Sequence, residues 1–302
     1  MRSGFGDLLR KSFLNGWSLF FLISSSISIA LIVGMLRGDL STGEGVSSMI
    51  QMSVRFAVPW LYVAFAASSA HVLLSSDLSA WVLRNRKYFG LCFAVGMAWQ
   101  VLFIVWMVGV YTDYYRNEVY LLRDLIEGLA GYFFLIPMTL TTFRFGRRLV
   151  SRKQWRALHK AGIYYLWAYA FSVYWWVLFY YPNPAAVSYL YYWAGFIAWG
   201  LRAGAWCKTR RNFAEKRAPV KRPNRLAESV GVVVVGLGFG AASFGSLWRE
   251  AAEQFLYGYT FTRIPELYFP YWPFEPFLPL LVIGIGFYLI SLPAGPKASG
   301  KV

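Results

Sequence analysis

Histidine, cysteine and acid, the residues from which most metal and catalytic sites are built, are scarce in this sequence: two histidines, two cysteines and 14 acidic residues among 302. The scarcity excludes whole classes of chemistry. Cys92 and Cys207 form no CxxC motif. Read at the cytoplasmic ends of helices, they stand where a reducing compartment keeps thiols free. His71 and His159 belong to different helical segments without an HExxH pattern, so zinc would need carboxylates as ligands. No Ser-His-acid arrangement is local to any segment.

What is present in quantity is apolar and aromatic: 58% of residues are hydrophobic, 20% aromatic and only 15% charged. With several apolar runs of about 20 residues, that composition predicts an all-α, polytopic membrane bundle and not a soluble core. The net charge of +16 would suit nucleic acid were it spread over a face. It is gathered into short segments on one side of the apolar runs, as the positive-inside bias requires, so nucleic acid is not an expected partner and the lipid bilayer is.

The stretch from Thr139 to Trp176 shows the pattern most plainly. Two apolar helices are joined by a wholly basic turn carrying Arg144, Arg147, Arg148, Arg152, Lys153, Arg156 and Lys160, with no acid between them. His159 stands where the second helix begins. Taken over the chain, the pattern predicts about eight membrane crossings with both termini cytoplasmic. The spans are Gly16 to Leu36, Phe56 to Leu74, Tyr88 to Val110, a fourth ending at Thr142, His159 to Tyr181, Ala185 to Leu201, Ser229 to Ser246 and Pro276 to Leu292. The first is too long for a signal-peptide core, and no A-x-A-like site follows it before Arg37. The segment Arg202 to Glu228, with nine Lys or Arg and two acids, is read as cytoplasmic, and the 247–279 loop as external.

Two local motifs invite chemistry. Gly236, Gly238 and Ala241 spell a G-x-G-x-x-A fingerprint, but a dinucleotide site needs a parallel sheet and an acid about 20 residues on. Gly236-x-x-x-Gly240 is better read as a close helix-packing surface. Pro270, Pro273, Pro276 and Pro279 recur every third residue among aromatics. That is the period of polyproline II and suits either a binding strip or an aromatic belt at the mouth of the last helix. The two histidines are the remaining candidates, because ionisable groups in a membrane are costly and tend to be functional.

The setting of His159 carries a resemblance. Arg147-Arg148-Leu149, Trp155, Leu158-His159 and Tyr164-Tyr165, together with Arg84, Arg86, Gly90-Leu91 and Phe93, resemble the ferric-reductase-like transmembrane family. Within it they are most similar to the haem-binding membrane subunits that supply electrons to a periplasmic methionine sulfoxide reductase. The resemblance covers about residues 50–206. It implies transmembrane electron transfer through b-type haem held by histidines. Carried over by position, the ligands fall at Gln100, His159 and Ser172. Amide and hydroxyl are poor iron ligands.

The resemblance therefore implies a chain of four parts: an N-terminal helix and loop (1–49), a ferric-reductase-like core (50–206), a basic linker (207–228) and a two-helix extension (229–302). It further implies a bacterial inner-membrane accessory or assembly subunit with its haem sites lost, binding a membrane or extracytoplasmic redox partner through the 247–279 loop. No cofactor is expected on that reading. The alternative is active electron transfer through b-type haem with unusual ligation by His159, or with His71 as its partner, or through a quinol or flavin donor.

Overall fold

Where water is absent, backbone N–H and C=O groups must find partners within their own segment, which favours helices. The structure is a computed structural model that describes residues 4–217, 224–258 and 274–292, and among these residues every regular element is helical, with no strand. The long helices are α1 (Gly16–Arg37), α2 (Gly43–Leu74), α3 (Asp77–Val110), α4 (Leu122–Leu140), α5 (Arg152–Tyr180), α6 (Ala186–Arg217), α7 (Arg225–Ser243), α8 (Gly245–Gly258) and α9 (Leu278–Ile290). A π-helical turn, Tyr115–Val119, precedes α4, a single turn, Arg144–Arg147, precedes α5, and a 3-10 turn, Glu275–Phe277, leads into α9.

Among the described residues four helices, α1, α2, α3 and α7, are long and apolar enough to cross a membrane, with mean hydropathies of 2.4, 1.5, 2.2 and 1.7 over their most apolar windows. Their outer faces carry large apolar side chains in the open, among them Phe21, Ile29, Leu102, Val105, Val233 and Leu237. In water such stripes would be a liability, and in lipid they are the expected surface.

The helices outrun the apolar runs that announce them. α2 begins at Gly43 and not near Phe56, α3 at Asp77 and not at Tyr88, and α6 continues to Arg217 past Leu201. At 1.5 Å per residue each is about 50 Å long, well beyond a hydrocarbon core of about 30 Å. Hydropathy finds only the most apolar part of each. The true starts are set by caps: the Thr42 hydroxyl accepts from the Gly45 N–H at 3.1 Å, and Ser76 and Ser79 form a reciprocal capping box. Cys92, expected at a helix end, consequently lies near the middle of α3, fully buried against Ser24 of α1.

The chain divides into two compact units, residues 1–171 with 190–198, and residues 172–189 with 199–302. In the first unit α2 and α3 pack as a hairpin through stacked Trp60 and Phe89, ring centres 5.8 Å apart. A Cβ on Gly96 would stand 2.7 Å from that of Ala57, so only glycine permits this approach. α1 is tied to α3 by Trp99, whose indole N–H donates to Ser28 at 3.0 Å, and by Tyr111, whose hydroxyl donates to the Leu40 carbonyl at 2.7 Å. A column of rings fills the interior. Phe65 stacks on Trp167 at 5.1 Å, Trp167 on Phe171 at 5.4 Å and Phe171 on Tyr192 at 5.1 Å. All four residues are buried.

In the second unit α7 and α9 meet through Gly231, Gly238 and Gly286. The expected packing pair, Gly236 and Gly240, is not at this contact: a Cβ on either would meet nothing within 4 Å. The glycines seven apart lie on the face toward α9, and those four apart lie on the open face. In the turn between α5 and α6, Asn183 adopts a left-handed conformation with φ 51°, which asparagine tolerates between two prolines.

Candidate functional site

His159 sits one turn beyond Trp155 at the start of α5. Its ring lies 4.5 Å from the Trp155 ring, and the Arg147 guanidinium covers the other ring at 5.3 Å while donating to the Val150 carbonyl at 2.8 Å. The His159 Nε2 is 3.0 Å from the Thr141 hydroxyl. That hydroxyl has one proton, and it lies 2.6 Å from the Pro137 carbonyl, an acceptor only. Thr141 therefore donates to Pro137 and accepts from His159, which assigns the imidazole proton to Nε2 and leaves the lone pair on Nδ1.

His71 is placed differently. Near the C-terminus of α2, its Nδ1 is 3.1 Å from the Ser79 hydroxyl, which itself donates to the Ser76 carbonyl at 2.9 Å and accepts from the Ser76 N–H at 2.9 Å. The same accounting makes His71 Nδ1 the donor to Ser79. His71 thus pins the α2–α3 turn, while His159 pins the end of α4 to the start of α5.

The two other positions implied by the resemblance do not offer ligands. The Gln100 carbonyl oxygen accepts from the Tyr132 hydroxyl at 2.6 Å, a bond that ties α3 to α4. Ser172 is buried within α5. Haem iron is held by imidazole, thiolate, thioether or phenolate, so bis-histidine ligation at the implied positions does not fit these residues. Among the described residues no group of three or more His, Cys, Asp or Glu is placed to hold a metal ion.

Sequence reasoning missed the most deeply buried charge-bearing residue among those described, Glu275 in the second unit. It is 0% exposed, and its two carboxylate oxygens accept from the Trp175 indole at 3.0 Å and the Tyr180 hydroxyl at 2.7 Å. Trp175, also fully buried, rests against Trp248, whose indole donates to the Ala241 carbonyl at 2.8 Å. The Arg249 guanidinium lies over the Tyr180 ring at 4.2 Å. A carboxylate in the first turn of a helix is further stabilised by the unpaired N–H groups there. The available signal was a single acid embedded in the run Phe274-Glu275-Pro276-Phe277.

The proline strip falls partly outside the described residues, which omit Pro270 and Pro273. Its described half is helical and not polyproline II: Pro276 opens the 3-10 turn and Pro279 the first turn of α9, where a missing N–H costs nothing. The first part of the 247–279 loop is α8, with Leu247 80% and Phe255 64% exposed. Cys207 is buried in α6 beyond the apolar part of that helix, and burial pushes its thiol up from its ordinary value.

No family model matches the chain, and neither the curated proteins nor the solved structures contain a significant match to it.

Proposed function

We propose that the chain is a multi-pass protein of the bacterial inner membrane, with a ferric-reductase-like bundle kept as an accessory or assembly subunit of a membrane redox complex and no longer as a haem carrier. The observation that supports this reading is the employment of the ligand-position side chains in helix pairing: Gln100 with Tyr132, and His159, through its Nε2 proton, with Thr141. On this reading α4, α5, α6 and α9 cross the bilayer as well. α5 escapes a hydropathy criterion because Tyr164, Tyr165, Trp167, Tyr169, Tyr174, Trp175 and Trp176 are amphipathic rings, suited to a packed bundle and to interfaces. Both termini, the Arg144–Lys160 turn and the basic end of α6 lie on the cytoplasmic side. α8, with its exposed Leu247 and Phe255, belongs to the 247–279 segment that meets a partner on the external side.

One observation favours the alternative, electron transfer through a haem with unusual ligation. Each histidine leaves one ring nitrogen outside its helix-pairing hydrogen bond, Nδ1 of His159 and Nε2 of His71, so the unorthodox ligand would be His159, with or without His71. Absorption spectra and haem assays of the purified parent, His71→Ala and His159→Ala separate the two. A colourless parent that co-purifies with a redox partner fits the accessory subunit. About one haem per chain, lost in either histidine variant, overturns it.

A further inference from the structure

The second unit contains a cavity of about 290 Å³ between the basic end of α6 and the C-terminal half of α9. Its α6 wall is Cys207, Lys208, Arg211 and Asn212, and its α9 wall is Phe287 and Ile290. The space equals on the order of ten water molecules. One wall is cationic and amide-bearing, and the other is wholly apolar. Arg211 also donates to Glu228 at 3.1 Å, both side chains being partly exposed. That contact orients the guanidinium and engages one of its five N–H donors, leaving the planar fork able to serve a second anion.

The cavity's level in the membrane is marked by its neighbours. The Arg210 guanidinium lies between the faces of Trp206, at 5.3 Å, and Tyr288, at 4.7 Å. Both residues are a little under half exposed. Trp, Tyr and Arg gathered at one height are the side chains that favour the boundary between hydrocarbon and headgroups. A basic, partly apolar pocket between helices at that boundary has the chemistry of an anionic lipid headgroup site.

We propose that this cavity binds the phosphate diester of an anionic phospholipid, with Lys208, Arg211 and Asn212 donating to the phosphate oxygens and Phe287 and Ile290 against the glycerol and first acyl carbons. The inference rests on the multi-pass reading, which puts the basic end of α6 at the cytoplasmic leaflet. Arg supplies paired donors to phosphate and Lys a point charge, so each contact is charge-assisted.

The test is native mass spectrometry of the full chain released from nanodiscs containing phosphatidylglycerol, phosphatidylcholine or both, with inorganic phosphate added in a separate arm. The parent retains phosphatidylglycerol in preference to phosphatidylcholine, and millimolar phosphate does not displace it. Lys208→Gln weakens that retention about ten-fold, the scale of one charge-assisted hydrogen bond. Asn212→Asp, nearly isosteric, does the same by repulsion and guards against a misfolded lysine variant. Arg148→Gln, which removes an exposed positive charge in the first unit, leaves retention unchanged. Equal retention of the two lipids, or no loss in either cavity variant, overturns the site while the chain still resides in nanodiscs. Displacement by inorganic phosphate overturns the lipid as its ligand. A chain that cannot be held in nanodiscs refutes the membrane reading itself.

Discussion

Gly231 and Gly286 face each other so closely that the carbonyl oxygen of each lies 2.7 Å from where the other's Cβ would stand. Lipid offers helices no hydrophobic reason to associate, so α7 and α9 depend on backbone approach of this kind and on dispersion. Gly231→Leu and Gly286→Leu should each destabilise the pair by about 1–3 kcal/mol or more, as overpacking does. Gly236→Leu and Gly240→Leu, on the open face of α7, should change detergent-phase thermal stability little. The reverse order of melting temperatures would place the wrong face of α7 against α9.

Glu275 stabilises the second unit as a buried acceptor of two hydrogen bonds. Glu275→Gln keeps one oxygen for Trp175 or Tyr180 and should cost less than Glu275→Leu, which removes both hydrogen bonds at about 1–3 kcal/mol each. The difference is measurable by denaturant titration followed by tryptophan fluorescence, since Trp175 is fully buried against this carboxylate. Equal stability of the two variants would mean that the hydrogen bonds contribute nothing.

Topology can be read with single cysteines placed in a background lacking Cys92 and Cys207. Replacements at Asp113, Asn183 and Glu250, all exposed side chains, should react with a membrane-impermeant maleimide in intact cells. A replacement at Arg148, in the basic turn, should react only after lysis. Labelling of the Arg148 position in whole cells would invert the proposed orientation.

How much of this was legible beforehand depends on what each residue needed to be understood. The all-helical fold and the apolar parts of α1, α2, α3 and α7 follow from hydropathy alone. Their ends do not, because the Ser76–Ser79 box and the Thr42 cap start helices well outside the apolar parts. The four-residue spacing of Gly236 and Gly240 suggests a packing surface but does not say which face meets a neighbour, and the contact is made by Gly231 and Gly238 instead. His159 was conspicuous at the end of a basic turn, yet its proton is placed by Thr141 and Pro137, which only the tertiary structure brings within reach. Glu275 stayed hidden because its significance depends on Trp175, 100 residues away in the chain.

The entrance to α1 provides the last prediction. Asn85 is 1% exposed on α3, accepts from the Gly16 N–H at 2.9 Å and donates to the Asn15 side-chain oxygen at 3.0 Å. Asn15 in turn donates to the Leu9 carbonyl at 2.9 Å, and Arg84 approaches the same Asn15 oxygen at 3.2 Å. The Trp81 indole closes the group on the Leu14 carbonyl at 2.8 Å. Each amide thus satisfies the other and two backbone groups. Asn85→Ala and Asn15→Ala should each cost about 1–3 kcal/mol by stranding a partner. Because the second substitution removes a group already stranded by the first, the double variant should cost less than the sum, with a coupling of roughly 0.5–3 kcal/mol. Strict additivity in that cycle, measured by reversible denaturation in detergent, would show that the two amides act independently and that the knot does not hold α1 to α3.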